Sequence, residues 1–148
     1  VVRRLGILYS HRGQDQKAVK YLEKAFKKAP NHKEMILPYA MSLQRQEKVR
    51  KAIDILTHGI SLDPDNADYH RFLGVTAKKL GWEKAAEESL QKSFELDKDN
   101  PETAYNLALH YATLDDPAES KVKKWYQKAK DLGAKPDPAL ENFLREAQ

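Results

Sequence analysis

The sequence predicts an all-α fold: a solenoid in which antiparallel helix pairs stack one after another within a single domain of 148 residues. Three observations predict it. The sequence repeats itself every 34 residues, which is typical of stacked repeat units. Apolar residues within each repeat recur at helical spacing, and no strand pattern competes with them. Small residues and prolines recur at fixed places, where close helix contacts and helix ends are needed.

The repeat is visible as columns of similar residues 34 positions apart. In the first helix of each unit a large residue is followed by a small one: Leu5, Tyr39, Leu73 and Leu107, then Gly6, Ala40, Gly74 and Ala108. In the second helix the columns are Ala18, Ala52 and Ala86, then Leu22, Leu56 and Leu90. The small column lets two helices approach closely, and Pro30 and Pro64 end two of the second helices. A single unit cannot bury its apolar face, so the units have to stack.

These columns place the helices in order. The four units are predicted at about 1–32, 33–66, 67–100 and 101–136. Their helix pairs are predicted at 1–11 and 14–29, 33–45 and 48–62, 67–80 and 83–96, and 101–113 and 117–132. Pro38 falls inside the first helix of the second unit, where it removes a backbone donor. It therefore predicts either a kink or a late helix start.

A last helix is predicted at about 138–147, in a terminal segment 137–148. Asp137 can cap this helix, with Pro138 at its first position. Its apolar stripe is Leu140, Phe143, Leu144 and Ala147. Leu144 takes the place of the small column, where a close-packed partner helix would clash. The helix is therefore predicted to be a terminal cap, and the true chain end is expected near Gln148.

The net charge of +4 is distributed unevenly along the chain. Residues 1–50 carry 12 Lys/Arg and 4 Asp/Glu, whereas residues 51–148 carry 14 and 18. The lysines of the first unit recur at helical spacing, which favours a solvated helix face. RNA binding through this basic N-terminal half is the alternative.

The composition also excludes classes of chemistry. The chain has no cysteine, which excludes disulfides, thiolate zinc sites and thiol catalysis. No apolar run approaches the roughly 20 residues of a membrane span, and no secretory signal is present. The first residue is Val1 rather than methionine, as expected for a processed or excised piece, so the compartment stays open.

No residue pattern indicates catalysis, a cofactor or a metal. The histidines, none at metal-ligand spacing, are His11, His32, His58, His70 and His110. The neighbouring acids Glu87 and Glu88, like Asp115 and Asp116, are interpreted as solvated faces and caps rather than as a general acid/base pair. Most of the aromatic residues are interpreted as core: Tyr9, Tyr21, Tyr39, Phe72, Trp82, Phe94, Tyr111 and Trp125. We therefore expect no enzyme.

The columns, together with segments such as FLGVTAKKLGWEKAAEESLQKSFELDKDN and AIDILTHGISLDPDN, resemble the tetratricopeptide repeat. The resemblance covers essentially the whole chain. In the fourth unit, KKWYQKAKDLGA is similar to the related Sel1-like repeat. The resemblance implies a right-handed superhelix whose first helices line a concave groove, and a function in protein–protein interaction. A spacer or oligomerisation arm of a larger protein is a further alternative, and the oligomeric state is open.

The repeat register predicts which residues line that groove. They are Arg3, Ile7, Leu37, Met41, Gln44, Arg45, Arg71, Val75, Lys78, Lys79, Tyr105 and Leu109. This lining is partly apolar and partly basic, which suits an acidic, amphipathic peptide or helix. Some family members hold a terminal carboxylate with a Lys/Asn/Arg clamp. Of the matching positions, only Arg3 keeps the charge, so such a clamp is not expected.

Overall fold

The computed structural model describes residues 1–147, and this part of the chain forms nine α-helices and one short 3₁₀ helix. The α-helices are α1 (Val2–His11), α2 (Asp15–Lys28), α3 (Ile36–Arg45), α4 (Val49–Leu62), α5 (Ala67–Lys79), α6 (Glu83–Leu96), α7 (Pro101–Ala112), α8 (Glu119–Asp131) and α9 (Pro138–Glu146). The predicted all-α solenoid is confirmed, and each predicted helix end lies within three residues of the observed one. The expected chain end at Gln148 lies outside the described residues.

Local sequence signals set several of the helix starts. The side-chain oxygens of Asn66, Asn100 and Asp137 accept hydrogen bonds from the first backbone N–H groups of α5, α7 and α9. The predicted cap at Asp137 is thus confirmed. In the second unit, a 3₁₀ turn over Lys33–Met35 precedes α3, which begins at Ile36. Of the two outcomes predicted for Pro38, the late helix start is the one observed.

The turn between the two helices of a unit requires left-handed backbone in the first three units. Gly13, Glu47 and Gly81 occupy the same repeat position and have φ of 70°, 60° and 74°. Glycine adopts this conformation freely, whereas a residue with a Cβ atom is strained in it. Glu47 therefore carries strain that its two glycine counterparts do not.

Close approach of the two helices within a unit depends on the small column. A Cβ atom added at Gly6 would lie 2.7 Å from Leu22 Cγ, and one added at Gly74 would lie 2.7 Å from Leu90 Cγ. The predicted reason for the small column is therefore correct. A second small column, Ala25, Gly59 and Ser93, is also buried and was missed, although it too repeats every 34 residues.

The helices form two layers. Each second helix packs against the first helix of its own unit and the first helix of the next unit: α2 contacts α1 and α3, α4 contacts α3 and α5, and α6 contacts α5 and α7. The first helices also contact one another, α1 with α3 and α5 with α7, and α9 joins this layer through α7. Successive units are therefore joined both between the layers, by each second helix on the next first helix, and within the layer of first helices.

Most of the aromatic residues lie in the core, as predicted, but Trp82 does not. Tyr39, Tyr111 and Trp125 are buried, whereas the side chain of Trp82 is 41% exposed. Trp82 is the residue before α6, in the turn between the helices of the third unit. Its ring lies under the guanidinium of Arg50, 5.5 Å from the ring centroid. The core interpretation of Trp82 is wrong because this turn position faces solvent.

Candidate interaction groove

All twelve residues predicted to line the groove are at least partly exposed, and they lie on α1, α3, α5 and α7. Three depressions lie along this layer. We call this surface, formed by the first helices, the groove.

The first depression has a volume of about 510 Å³ and lies between the first helices of the first three units. Leu37 and Met41 of α3 line it, together with His11 at the end of α1 and Tyr69 of α5. The Tyr69 hydroxyl donates a hydrogen bond to the carbonyl of Lys33, 3.4 Å away. This depression offers two flexible apolar side chains between polar walls.

The second depression is smaller, about 120 Å³, and lies between α5 and α7. Val75 and Leu109 form its apolar walls, and Lys78 lies at its side. The first and second depressions therefore give both halves of the layer of first helices accessible apolar side chains.

The third depression, about 510 Å³, lies between α7 and the segment that leads into α9. Tyr105 lines it, and the Tyr105 hydroxyl donates a hydrogen bond of 2.5 Å to Asp137 Oδ2. This hydrogen bond, followed by burial, raises the pKa of Tyr105 to about 12. The same bond lowers the pKa of Asp137. Tyr105 is therefore fixed to the terminal helix as well as exposed to the depression.

Most of the predicted groove cations already have carboxylate partners within the chain. Arg3 Nε lies 2.7 Å from Glu34 Oε1, and Lys78 is paired with Glu83. Arg71 bridges Asp68 and Glu102, at 3.3 and 2.9 Å. The sequence did not reveal these pairs, because most of them join residues of different helices.

Arg45 is held most firmly of these cations. Its guanidinium forms two hydrogen bonds of 2.9 Å and one of 2.7 Å with the carboxylate of Asp15, and another to the carbonyl of Ser10. The hydrogen bond from Arg45 lowers the pKa of Asp15. Lys79 is exposed and has no ion pair among the described residues. Gln44 is half-buried, on the same helix as Arg45.

A buried polar position was not anticipated at the contact between units. Ser42, Thr76 and His110 are 34 residues apart and almost fully buried. The His110 ring nitrogens lie 3.7 Å from carboxylate oxygens of Glu83 and Glu87. Burial, followed by the nearby charge of Lys78, lowers the pKa of His110. The repeat spacing could have revealed this column.

The carboxylate of Glu87 contacts other side chains and is not only part of a solvated face. Its carboxylate also accepts a hydrogen bond of 2.8 Å from the Tyr111 hydroxyl.

No group of acids and histidines within residues 1–147 has the arrangement of a metal site. In the same part of the chain, no helix combines the length and the hydropathy that crossing a bilayer requires.

Comparison with known proteins identifies the repeat. Two models of the tetratricopeptide repeat match, one over residues 11–75 and the other over residues 67–100. Human protein O-mannosyl-transferase TMTC3 is 30% identical over 115 residues, which make up 77% of this chain. The chain spans only 12% of the length of that protein.

Solved structures agree on the fold. MamA (residues 41 to the end) from Desulfovibrio magneticus RS-1 superposes with a TM-score of 0.80 at 21% identity, covering 88% of this chain and 73% of that one. YrrB, a TPR protein with an unusual peptide-binding site, superposes with a TM-score of 0.78 at 19% identity, covering 95% and 71%. At these identities the likeness concerns the fold alone.

Proposed function

This chain belongs to the tetratricopeptide-repeat family, and from this premise we propose that it is a protein-interaction scaffold that binds an amphipathic, acidic segment of a partner in the groove. The observation that carries the proposal is the row of partly exposed apolar side chains on the first helices. Leu37 and Met41 lie in one depression, and Val75 and Leu109 lie in another. Leu37, Val75 and Leu109 pack against the core with one part and remain accessible with the other. Apolar side chains that line surface depressions in this way are typical of sites where a partner binds.

The apolar contacts would supply most of the affinity. Each of these side chains is already partly buried, so covering it contributes less than the 1.5–3 kcal/mol of a fully exposed side chain, about 1 kcal/mol. The flexible side chain of Met41 can adapt to more than one partner. Several such contacts are needed for a micromolar complex.

Fewer unpaired cations support the preference for an acidic partner than the sequence suggested. Arg45 and Arg71 are committed to intramolecular carboxylates, so a partner would have to compete for them. Lys79 carries an exposed charge without such a partner among the described residues. Charge is therefore expected to orient the partner and to speed association more than to add affinity.

The comparisons support a binding role in general terms. YrrB, which shares this fold, is named as having a peptide-binding site. The transferase activity in the name of the human relative is not proposed for this chain, because the match covers 12% of that protein and no residue pattern here indicates catalysis.

A panel of three helical peptides tests the proposal. The peptides share one apolar stripe and carry Glu, Gln or Lys on the polar face. We expect the Glu peptide to bind best, Met41→Glu to weaken its binding about tenfold or more, and Lys79→Glu to reduce its preference over the Gln peptide. The control is Thr57→Glu, which places the same charge on the exposed side of α4. Equal binding of all three peptides, or binding that Met41→Glu leaves unchanged, would contradict the proposal.

RNA binding is the second candidate, because one specific surface favours it. The exposed face of α2 carries Lys17, Lys20, Lys24, Lys27 and Lys28. The nearby acid Glu23 is already paired with Lys51 and Lys27. If this face binds single-stranded RNA, affinity will fall steeply between about 50 and 200 mM salt. The absence of binding at low salt would remove this candidate.

A further inference from the structure

A depression on the layer of second helices is lined by residues of α6 and α8 alone. It has a volume of about 470 Å³, and its lining residues are Phe94, Lys124, Trp125, Gln127, Lys128 and Asp131. We call these six residues the outer site. The outer site lies between the third and the fourth unit, and the chain continues on both sides of it through α5 and α9. Because the groove is formed by the first helices, the outer site is a separate surface.

Two aromatic rings form the floor of the outer site. The rings of Phe94 and Trp125 meet at 82°, with their centroids 4.8 Å apart. Trp125 is 7% exposed, whereas Phe94 is half-buried and can be reached from the depression. Aromatic rings favour such edge-to-face contacts, so a further aromatic side chain fits against the accessible part of Phe94.

The first two units show the same position in a closed form. Phe26 in α2 and Phe94 in α6 are each the twelfth residue of their helix. In the next second helix, the tenth residue is His58 in α4 and Lys128 in α8. His58 packs edge-on against Phe26, with ring centroids 5.2 Å apart, and its Nε2 lies 3.0 Å from the carbonyl oxygen of Pro30. Lys128 has no ring and is exposed at the side of the depression. A ring from a partner can therefore occupy, on Phe94, the place that His58 occupies on Phe26.

The rim of the outer site is basic. Lys121, Lys124 and Lys128 are exposed and recur at i, i+3 and i+7, on one side of α8. None of the three has an ion pair among the described residues, in contrast to most of the groove cations. The one acid of the lining, Asp131, accepts a hydrogen bond of 2.9 Å from Gln127. The charge offered to a partner is therefore positive, which suits carboxylates.

Nucleic acid is the other class of polyanion that lysines attract. Binding of single strands relies on accessible ring faces on which successive bases stack. The outer site has one accessible ring, Phe94, because Trp125 is almost fully buried. A run of bases finds no platform there, whereas a protein segment with one aromatic side chain fits.

We propose that the outer site binds an acidic segment of a partner protein, which places one aromatic side chain against Phe94 and carboxylates beside Lys124 and Lys128. The segment needs no apolar stripe, because the depression receives a single side chain. This requirement distinguishes it from the segment proposed for the groove. A chain with both sites holds two different partners, one on each layer, and neither proposal depends on the other.

The probe is a short peptide in which glutamate alternates with serine around one central phenylalanine. Two matched peptides replace the phenylalanine by alanine or every glutamate by glutamine. Each peptide is titrated into the isotope-labelled full chain, and amide shifts are followed by NMR, which detects binding even when Kd is millimolar. The single apolar residue keeps the peptide from making the several apolar contacts that the groove requires.

We expect the phenylalanine peptide to shift amides of α6 around Phe94 and of α8 between Lys121 and Asp131. The alanine and glutamine peptides should each bind about tenfold more weakly. Lys128→Glu should weaken binding of the phenylalanine peptide about tenfold, because it reverses an exposed charge of the site. The matched control Lys92→Glu makes the same change at the exposed tenth residue of α6 and should bind normally.

Lys128→His tests the aromatic contact separately from the charge of the rim. The imidazole ring should cover Phe94 as His58 covers Phe26. The variant should therefore lose the preference for the phenylalanine peptide over the alanine peptide. Circular dichroism checks that each variant is folded.

The inference is wrong if the phenylalanine peptide does not bind, if the alanine peptide binds equally well, or if a folded Lys128→Glu variant keeps full affinity. Shifts that fall on the groove and vanish in Met41→Glu, or shifts on the lysines of α2, would also overturn it. A single-stranded oligouridylate that shifts the same amides of α8 with higher affinity than the phenylalanine peptide would assign the outer site to RNA instead.

Discussion

Replacing Glu47 by glycine should stabilise this protein, although the change removes a side chain and adds no contact. Glu47 has φ of 60°, and the counterparts Gly13 and Gly81 have φ of 70° and 74°. A residue with a Cβ atom in the left-handed region costs about 1–2 kcal/mol. Glycine avoids this cost but loses about 0.5–1 kcal/mol more through the entropy of the unfolded chain. The net gain expected for Glu47→Gly is about 1 kcal/mol.

The reverse substitution provides a matched control. No atom lies within 4 Å of a Cβ placed at Gly81, so Gly81→Glu tests the backbone alone. We expect Gly81→Glu to lower the free energy of unfolding by about 1 kcal/mol and Glu47→Gly to raise it by the same amount. For a chain of this length, the corresponding shifts in Tm are about 2–4 °C in opposite directions. Urea and thermal denaturation followed by circular dichroism measure both values. A neutral or destabilising Glu47→Gly would refute the assignment of strain to this turn.

Three further substitutions test the packing and the buried charges. Gly74→Leu should lower the free energy of unfolding by about 3 kcal/mol in urea denaturation, because the leucine side chain would overlap Leu90 and the backbone of Ala86. The control Thr57→Leu, on an exposed face, should change the free energy of unfolding little. Asp15→Asn should cost about 1 kcal/mol at pH 7 through its bond with Arg45. Because folding lowers the pKa of Asp15 from 3.8, this stabilisation is present above pH 4 and should be lost as the pH falls below it. His110→Thr should make Tm less sensitive to pH. Because folding lowers the pKa of His110, the stabilisation is complete above pH 6.5 and decreases as the pH falls below it. Between pH 7.5 and 5.5, the Tm of the wild type should therefore fall more than the Tm of the variant.

The fold could be predicted from the sequence because the repeat supplies the same information four times. Any one unit leaves helix ends ambiguous, but Gly6, Ala40, Gly74 and Ala108 fix a common register. The cap at Asp137 and the late start of α3 at Ile36, which places Pro38 in the first turn, follow from local chemistry, and both are found in the structure. Local backbone rules are sufficient for such features.

The contacts between units were harder to predict. The pairing of Arg45 with Asp15 joins residues 30 positions apart, and the spacing of charges does not show which carboxylate an exposed arginine will reach. For the same reason, the cations of the groove looked free in the sequence and are mostly paired in the structure. The burial of His110 beside Glu83 could have been found, because it lies in the column of Ser42 and Thr76. The exposure of Trp82 follows from its place in a turn, where aromatic character says little about burial.

We propose that the layer of first helices is the surface through which this chain binds its partner. Amide shift mapping with the Glu-faced amphipathic peptide tests it most directly. We predict that the largest shifts fall on α3, α5 and α7 around Met41, Val75 and Leu109, and that Met41→Glu removes them. Shifts concentrated on the exposed faces of α2, α4 and α6, with no change at Met41, would contradict the claim.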